Sequence, residues 1–196
     1  MDFAEVVRRR KMVRTFEGRP VQAEALDRIL GHGRRAPSAG FSQGFEFLVL
    51  SGPEETATFW DAATSDEPVL EGVRAAPVLI IPFASKGAYL DRYAEEDKGW
   101  QDRDEARWPV PFWYIDAGFA SMLMLLSAVN EGLSALFFGL FPPTIPRVKE
   151  AFGVPEEWDP IGAIALGHGA SVDPVRSSRD TRPRKPATEV VHRGRW

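Results

Sequence analysis

The chain has no cysteine among its 196 residues. That absence excludes disulfides, thiol nucleophiles and thiolate metal sites together, so redox chemistry here requires a bound cofactor. Histidine is scarce as well. His32, His168 and His192 stand far apart, with no spacing that suggests metal ligation. Nowhere do eighteen apolar residues run together, and the opening Met-Asp-Phe-Ala-Glu-Val-Val meets arginines before it is long enough for a signal peptide. The expectation is a cytoplasmic, soluble protein with no membrane partner. A net charge of -4 gives no large positive field to attract a nucleic-acid backbone. No G-x-G-x-x-G or P-loop is present, which argues against the Rossmann and nucleotide-hydrolysing classes.

What the chain does have is basic charge gathered at both ends. Arg8-Arg9-Arg10-Lys11 with Arg14 opens it, and Arg182-Pro183-Arg184-Lys185 stands near the finish. Cations at both ends of an acidic chain suggest that the ends share an anion, and a phosphate suits the planar donor fork of arginine. On charge alone, two solvated basic segments remain the plainer reading.

Helical spacing of Phe3, Val6, Val7 and Arg10, with Asp2 placed to cap, predicts a short opening helix to about Lys11. A second helix runs from about Val21 to Arg35, on a stripe of Val21, Ala25, Leu26, Ile29 and Leu30. The turn-rich Pro37–Gly44 then delivers into a short apolar strand, Phe45–Leu50. Glu54 to about Ala63 reads as helix, and Pro77–Phe83 as a buried strand with prolines near its ends. Lys86–Phe112 has weak periodicity and mixed charge, and is expected to be an irregular insert. From Trp113 to Glu131 the run is apolar nearly all round, predicting a helix buried in a core or subunit interface and too short to span a bilayer. Strands at Leu133–Phe138 and Ile161–Leu166 flank a helix near Ile145–Phe152, and residues from about 168 to 196 form an extended tail. The pattern is a single α+β domain over 1–196, with a mixed central sheet wrapped by helices.

Three segments in order carry a likeness: Arg10-Lys11-Met12-Val13-Arg14-Thr15-Phe16, Ala36-Pro37-Ser38-Ala39-Gly40-Phe41-Ser42-Gln43, and Arg182-Pro183-Arg184-Lys185-Pro186 followed by Glu189-Val190-Val191. They resemble the FMN-dependent nitroreductase family. The apolar helix and Gly132–Gly139 after it look like that family's late core segment, so the likeness spans nearly the whole chain. It implies a three-layer α+β fold with a mixed, mainly antiparallel sheet and a domain-swapped C-terminal tail. It also implies an obligate homodimer with two FMN sites at the interface. Arg10, Lys11, Met12 and Arg14 would lie at one end of the site, and Arg182 and Arg184 at the phosphate. Pro37, Ser38 and Ala39 would pass over the flavin from the partner subunit, with Gln43 as a further polar contact. Phe138 and Gly139 would set a backbone N–H near flavin N5, where glycine lets the main chain approach and a donor stabilises the reduced ring.

The chain departs from the family at two places. Met12 stands where a small hydroxyl residue is usual, and Phe41-Ser42-Gln43-Gly44-Phe45 replaces Asn-Ser-Gln-Pro-Trp. Phe41 and Trp113, with neighbouring aromatics, are the expected walls of an apolar substrate pocket, each with core packing as its alternative. The implied activity is ping-pong transfer of two electrons from NADPH or NADH, through FMN, to a nitroaromatic, quinone or similar small acceptor. No side chain is expected to act as catalytic acid or base, and no metal is expected. A flavin-dependent dehydrogenase or reductase of a specialised metabolite, a deazaflavin-linked reductase and a non-catalytic flavin-binding protein stay open.

Overall fold

Every residue of the strand Val78–Ala84 is buried, because helices cover the sheet on both faces. The computed structural model describes residues 1–64, 71–171 and 181–196. Its strands are β1 (Phe16–Glu17), β2 (Phe45–Ser51), β3 (Val78–Ala84), β4 (Ser134–Phe138), β5 (Asp159–Pro160) and β6 (Ala163–Gly169). Its helices are α1 (Phe3–Arg9), α2 (Ala23–Gly33), α3 (Pro53–Ala62), α4 (Glu71–Arg74), α5 (Lys86–Ala94), α6 (Phe112–Asn130), α7 (Ile145–Ala151) and α8 (Ala187–Val190).

Four strands lie side by side as β4-β6-β3-β2, with antiparallel neighbours throughout. β1 pairs the far end of β6, and β5 pairs the end of β3. The parallel component of the sheet is a single bridge between Met12 and Ala135 among the described residues. Side chains alternate across the strands as the pleat requires. Leu79, Ile81 and Phe83 join Phe59, Trp60 and Val148 on the α3 and α7 face. Val78, Ile80, Ile164 and Leu166 join Ile29, Met124 and Leu125 on the α2 and α6 face. Each fully buried Leu, Ile or Phe contributes about 1.5–3 kcal/mol relative to exposure.

The structure amends the sequence reading at several points. The expected irregular insert contains α5, nine residues capped by Ser85, whose Oγ accepts the Ala88 N–H at 3.3 Å. β6 runs three residues beyond the expected Leu166. Pro82 sits inside β3 rather than near its end, tolerated because its neighbouring strand is interrupted there. β6 pairs only as far as Ile80 and β5 resumes at Phe83. Gly162 bridges that gap with φ +149, and a Cβ on it would lie 2.5 Å from the Phe137 ring and 2.7 Å from the Phe138 carbonyl oxygen. Glycine is therefore what lets β4 close against the β5–β6 junction.

Length does not separate α6 from a membrane helix. Its 19 residues span about 28 Å at 1.5 Å per residue, and its mean hydropathy of 1.5 suffices. Packing does separate it: half of that stretch is buried inside the chain, with Asp116, Ser121 and Ser127 among the buried residues.

Candidate functional site

The segment after α1 is sewn onto β4. The Val13 N–H donates to the Ala135 carbonyl at 3.1 Å, the Phe137 N–H donates to Met12 Sδ at 3.5 Å, and Arg14 Nη1 donates to the Met12 carbonyl at 3.2 Å. The position that lacks the usual hydroxyl therefore still supplies an acceptor, a thioether sulfur. Beside this seam lies a cavity of about 260 Å³ lined by Arg14, Trp60, Val73, Phe138, Gly139 and Thr144, among others.

Of the residues the sequence reading assigned to one site, Arg14, Phe138 and Gly139 line this cavity together, whereas the parallel bridge of Met12 with Ala135 sets Arg10 level with the start of β4. Lys11 is exposed. Arg8 and Arg9 are occupied on the surface by Glu5, at 3.7 and 3.6 Å. Arg10 is different: its Nη1 is buried and has no hydrogen-bond partner. A charged donor left so costs about 1–3 kcal/mol or more, and an anion there would remove the deficit. Arg182 and Arg184 are exposed, and no residue of 181–196 lines the cavity. Residues 172–180 of the expected tail lie outside the described residues.

The second group forms at the opposite edge of the sheet. β4 and β3 flank opposite edges of β6, and β2 lies beyond β3. The turn that enters β2 is thus three strand spacings, about 14 Å, from β4. Gly40, Phe41 and Gln43 all have positive φ, at 61°, 57° and 50°. Such a conformation costs a non-glycine residue about 1–3 kcal/mol and persists only where the surroundings over-determine it.

Here they do. The Ala39 N–H donates to Asp116 Oδ2 at 2.8 Å, the Gln43 N–H to Ser38 Oγ at 2.9 Å, and Arg92 Nε to the Gly40 carbonyl at 2.9 Å. Asp116 is only 3% exposed, and the same Oδ2 accepts the Tyr89 hydroxyl at 2.8 Å. Burial, then the bond to Asp116, push the Tyr89 phenol far above its ordinary range, so it stays protonated and donates. Pro37 and Gln43 are exposed, Ser38 and Ala39 half-buried. Phe41 is 72% exposed.

Trp113 is placed differently from the sequence expectation of a pocket wall. It is 4% exposed and packs with Tyr89 and Ala117 in the core, edge-on to Tyr89 and Trp108. Asp116 was missed, although it is the one charged residue in α6 and that isolation is a readable signal.

The description of the nitroreductase family matches residues 7–168. This chain belongs to the nitroreductase family. The nitroreductase is 28% identical, over its full length and 88% of the relative's, to a candidate NADH dehydrogenase/NAD(P)H nitroreductase of Methanothermobacter thermautotrophicus. It is 31% identical to the candidate NAD(P)H nitroreductase YdjA of Escherichia coli (strain K12), covering 85% of this chain and 88% of YdjA. Among solved structures, a candidate nitroreductase of Exiguobacterium sibiricum in complex with FMN matches with a TM-score of 0.73 at 22% identity, covering 98% of this chain and 97% of that one. The expected three-layer α+β fold is the fold this nitroreductase has.

Proposed function

We propose that this nitroreductase is an FMN-dependent NAD(P)H oxidoreductase whose sites are each assembled from two copies of the chain. The observation that carries the reading is the buried, partnerless Nη1 of Arg10 on the segment that runs directly into the Arg14, Phe138 and Gly139 cavity. A partnerless guanidinium nitrogen at one end of this segment and an apolar cleft at its other fit an extended ligand with a phosphate at one end and a planar ring system at the other.

Arg10 and Arg14 would hold the phosphate and ribityl chain, with Lys11 adding positive charge. Arg182 and Arg184, exposed on the tail, would reach the phosphate, the tail crossing to the other copy. Met12 holds β4 in place, chiefly by packing against both core clusters. Space is open around Gly139, with no atom within 4 Å of where a Cβ would sit, so its main chain is accessible to the ring. Pro37, Ser38, Ala39 and Gln43 would meet the ring from the other copy, where Phe41 walls off water and stacks a planar acceptor. When bound, FMN supplies the redox chemistry, taking hydride from NADPH or NADH and delivering two electrons to a nitroaromatic, quinone or similar small acceptor.

Two further observations support a pair of copies. The turn and the cavity occupy opposite sheet edges, an arrangement suited to meeting the same ligand from two chains. On α6, Ile115, Phe119 and Met122 are exposed at helical spacing, and Phe3 and Val7 are exposed on α1, an apolar face that a second copy would cover.

The test is the visible spectrum of the purified protein before and after anaerobic NADPH. A flavin spectrum that bleaches, and returns on adding a nitroaromatic or quinone, is the expected result. Flavin without bleaching would favour a deazaflavin donor or a binding role, and a colourless protein that cannot be reconstituted with FMN would overturn the reading.

A further inference from the structure

The Ser38–Gln43 turn is held from beneath by α5 and α6, and the means are specific. Asp116 takes the Ala39 N–H, and the Tyr89 hydroxyl donates to the same carboxylate oxygen. Arg92 takes the Gly40 carbonyl through Nε, while its two terminal nitrogens fork onto Asp97 at 2.6 and 2.8 Å. The Tyr93 ring lies directly under Gly40, 2.6 Å from where a Cβ would sit, and the Tyr89 ring stands 2.5 Å from the same point on Gly44.

The rest of the insert braces these groups. Trp108 packs edge-on against Tyr93 and Tyr89, with centroids 4.5 and 5.9 Å away, and Trp100 packs on Tyr93 at 4.8 Å. Arg103 with Asp91 and Lys86 with Glu105 tie residues 103–105 back to α5. All of this converges on a turn that presents Phe41 outward in a left-handed conformation.

We infer that Asp116 is a positioning residue for the Ser38–Gln43 turn, acting with Tyr89 and Arg92, and that the 86–112 segment fixes where Phe41 stands and hence which acceptors fit. This rests on the reading above that the turn meets the flavin site of the other copy. Asp116 is buried and acts through the Ala39 N–H. Removing it leaves the turn's donor and the Tyr89 hydroxyl without their shared acceptor, and the strained residues relax.

The experiment compares the full chain with Asp116→Leu, Asp116→Asn and Arg92→Met. Amide hydrogen exchange is followed over residues 38–44, and the KM for a nitroaromatic and the rate of flavin bleaching by NADPH are measured on the flavin-loaded proteins. Asp116→Leu and Arg92→Met are expected to raise exchange in that segment at least tenfold and to raise acceptor KM about tenfold, with bleaching within twofold of the parent. Asp116→Asn, with its carbonyl oxygen at the Oδ2 position, still accepts both the Ala39 N–H and the Tyr89 hydroxyl, so it should restore both readouts. Arg92 is partly exposed, so its replacement keeps the test available if Asp116→Leu does not fold. Unchanged exchange in the variants overturns the inference whatever the flavin content. Raised exchange with unchanged KM overturns the link to acceptor choice. A parent without flavin overturns the functional reading on which that link rests, while the exchange result still decides the clamp.

Discussion

The Sδ atom of Met12 accepts the backbone N–H of Phe137 at 3.5 Å. Sulfur is a weak acceptor, and Met12 also packs against both core clusters, so its packing outweighs its hydrogen bond. Met12→Leu, which keeps the volume, should cost less than about 1.5 kcal/mol. Met12→Ala should cost about 2 kcal/mol or more. Urea unfolding of the two variants checks the order, and equal losses would mean that the sulfur contact dominates.

Arg10 has a buried guanidinium nitrogen and Arg184 is exposed, yet the two should respond alike. Arg10→Met removes a buried donor that has no acceptor, so the flavin-free protein should be no less stable than the parent. With FMN, loss of charge-assisted bonds worth about 1.5–3 kcal/mol weakens binding roughly 10- to 100-fold. Arg184→Ala alters an exposed residue and should likewise lower FMN retention while leaving flavin-free melting unchanged. Fluorescence titration with FMN, alongside melting of the flavin-free proteins, separates the two effects. Full FMN affinity in both variants would remove the phosphate assignment.

Much of this architecture could be read from local pattern. The Asp2 cap is present, its Oδ1 accepting the Glu5 N–H at 2.9 Å, and the apolar runs became β2, β3, β4 and β6. What escaped depends on distant partners. α5 carries Gly87 and scattered charge, and its order comes from Trp108 and from Asp116, whose partner Ala39 is 77 positions away. Trp113 read as a pocket wall because an exposed and a buried tryptophan look alike in a sequence. Only the fold turns its side chain toward Tyr89. The separation of the arginine cavity from the Ser38 turn follows from strand order, which no local periodicity encodes.

Gly162→Ala should destabilise the protein by about 1–3 kcal/mol. Its Cβ would press against the Phe137 ring and the Phe138 carbonyl, and both are fixed by β4 pairing with β6. The strain falls next to Gly139, so FMN affinity should fall along with the melting temperature. Gly31→Ala in α2 serves as a control, because nothing lies within 4 Å of its Cβ position and alanine favours the helix. Melting curves of the pair give the answer, and an unchanged Gly162→Ala would mean that β4 shifts freely.

The joint between α2 and the end of α6 should loosen in acid. Arg28 Nη2 donates to Glu131 Oε2 at 2.7 Å, and this bond holds the Glu131 carboxyl below its usual value. His32 Nδ1 lies 2.7 Å from Ser127 Oγ one turn away on the same pair of helices. A carboxylate depressed in the folded state adds stability above its unfolded value of about 4.3, and that stability is lost as pH falls through the lower folded value. Glu131→Gln should therefore melt below the parent at pH 7, and the two curves should converge as the pH falls through the lowered folded value of Glu131. The gap at neutral pH should also narrow in high salt, because the Arg28 side chain is 55% exposed and exposed charge is screened. Melting profiles that stay parallel from pH 7 into strong acid would show that this ion pair contributes nothing to the joint.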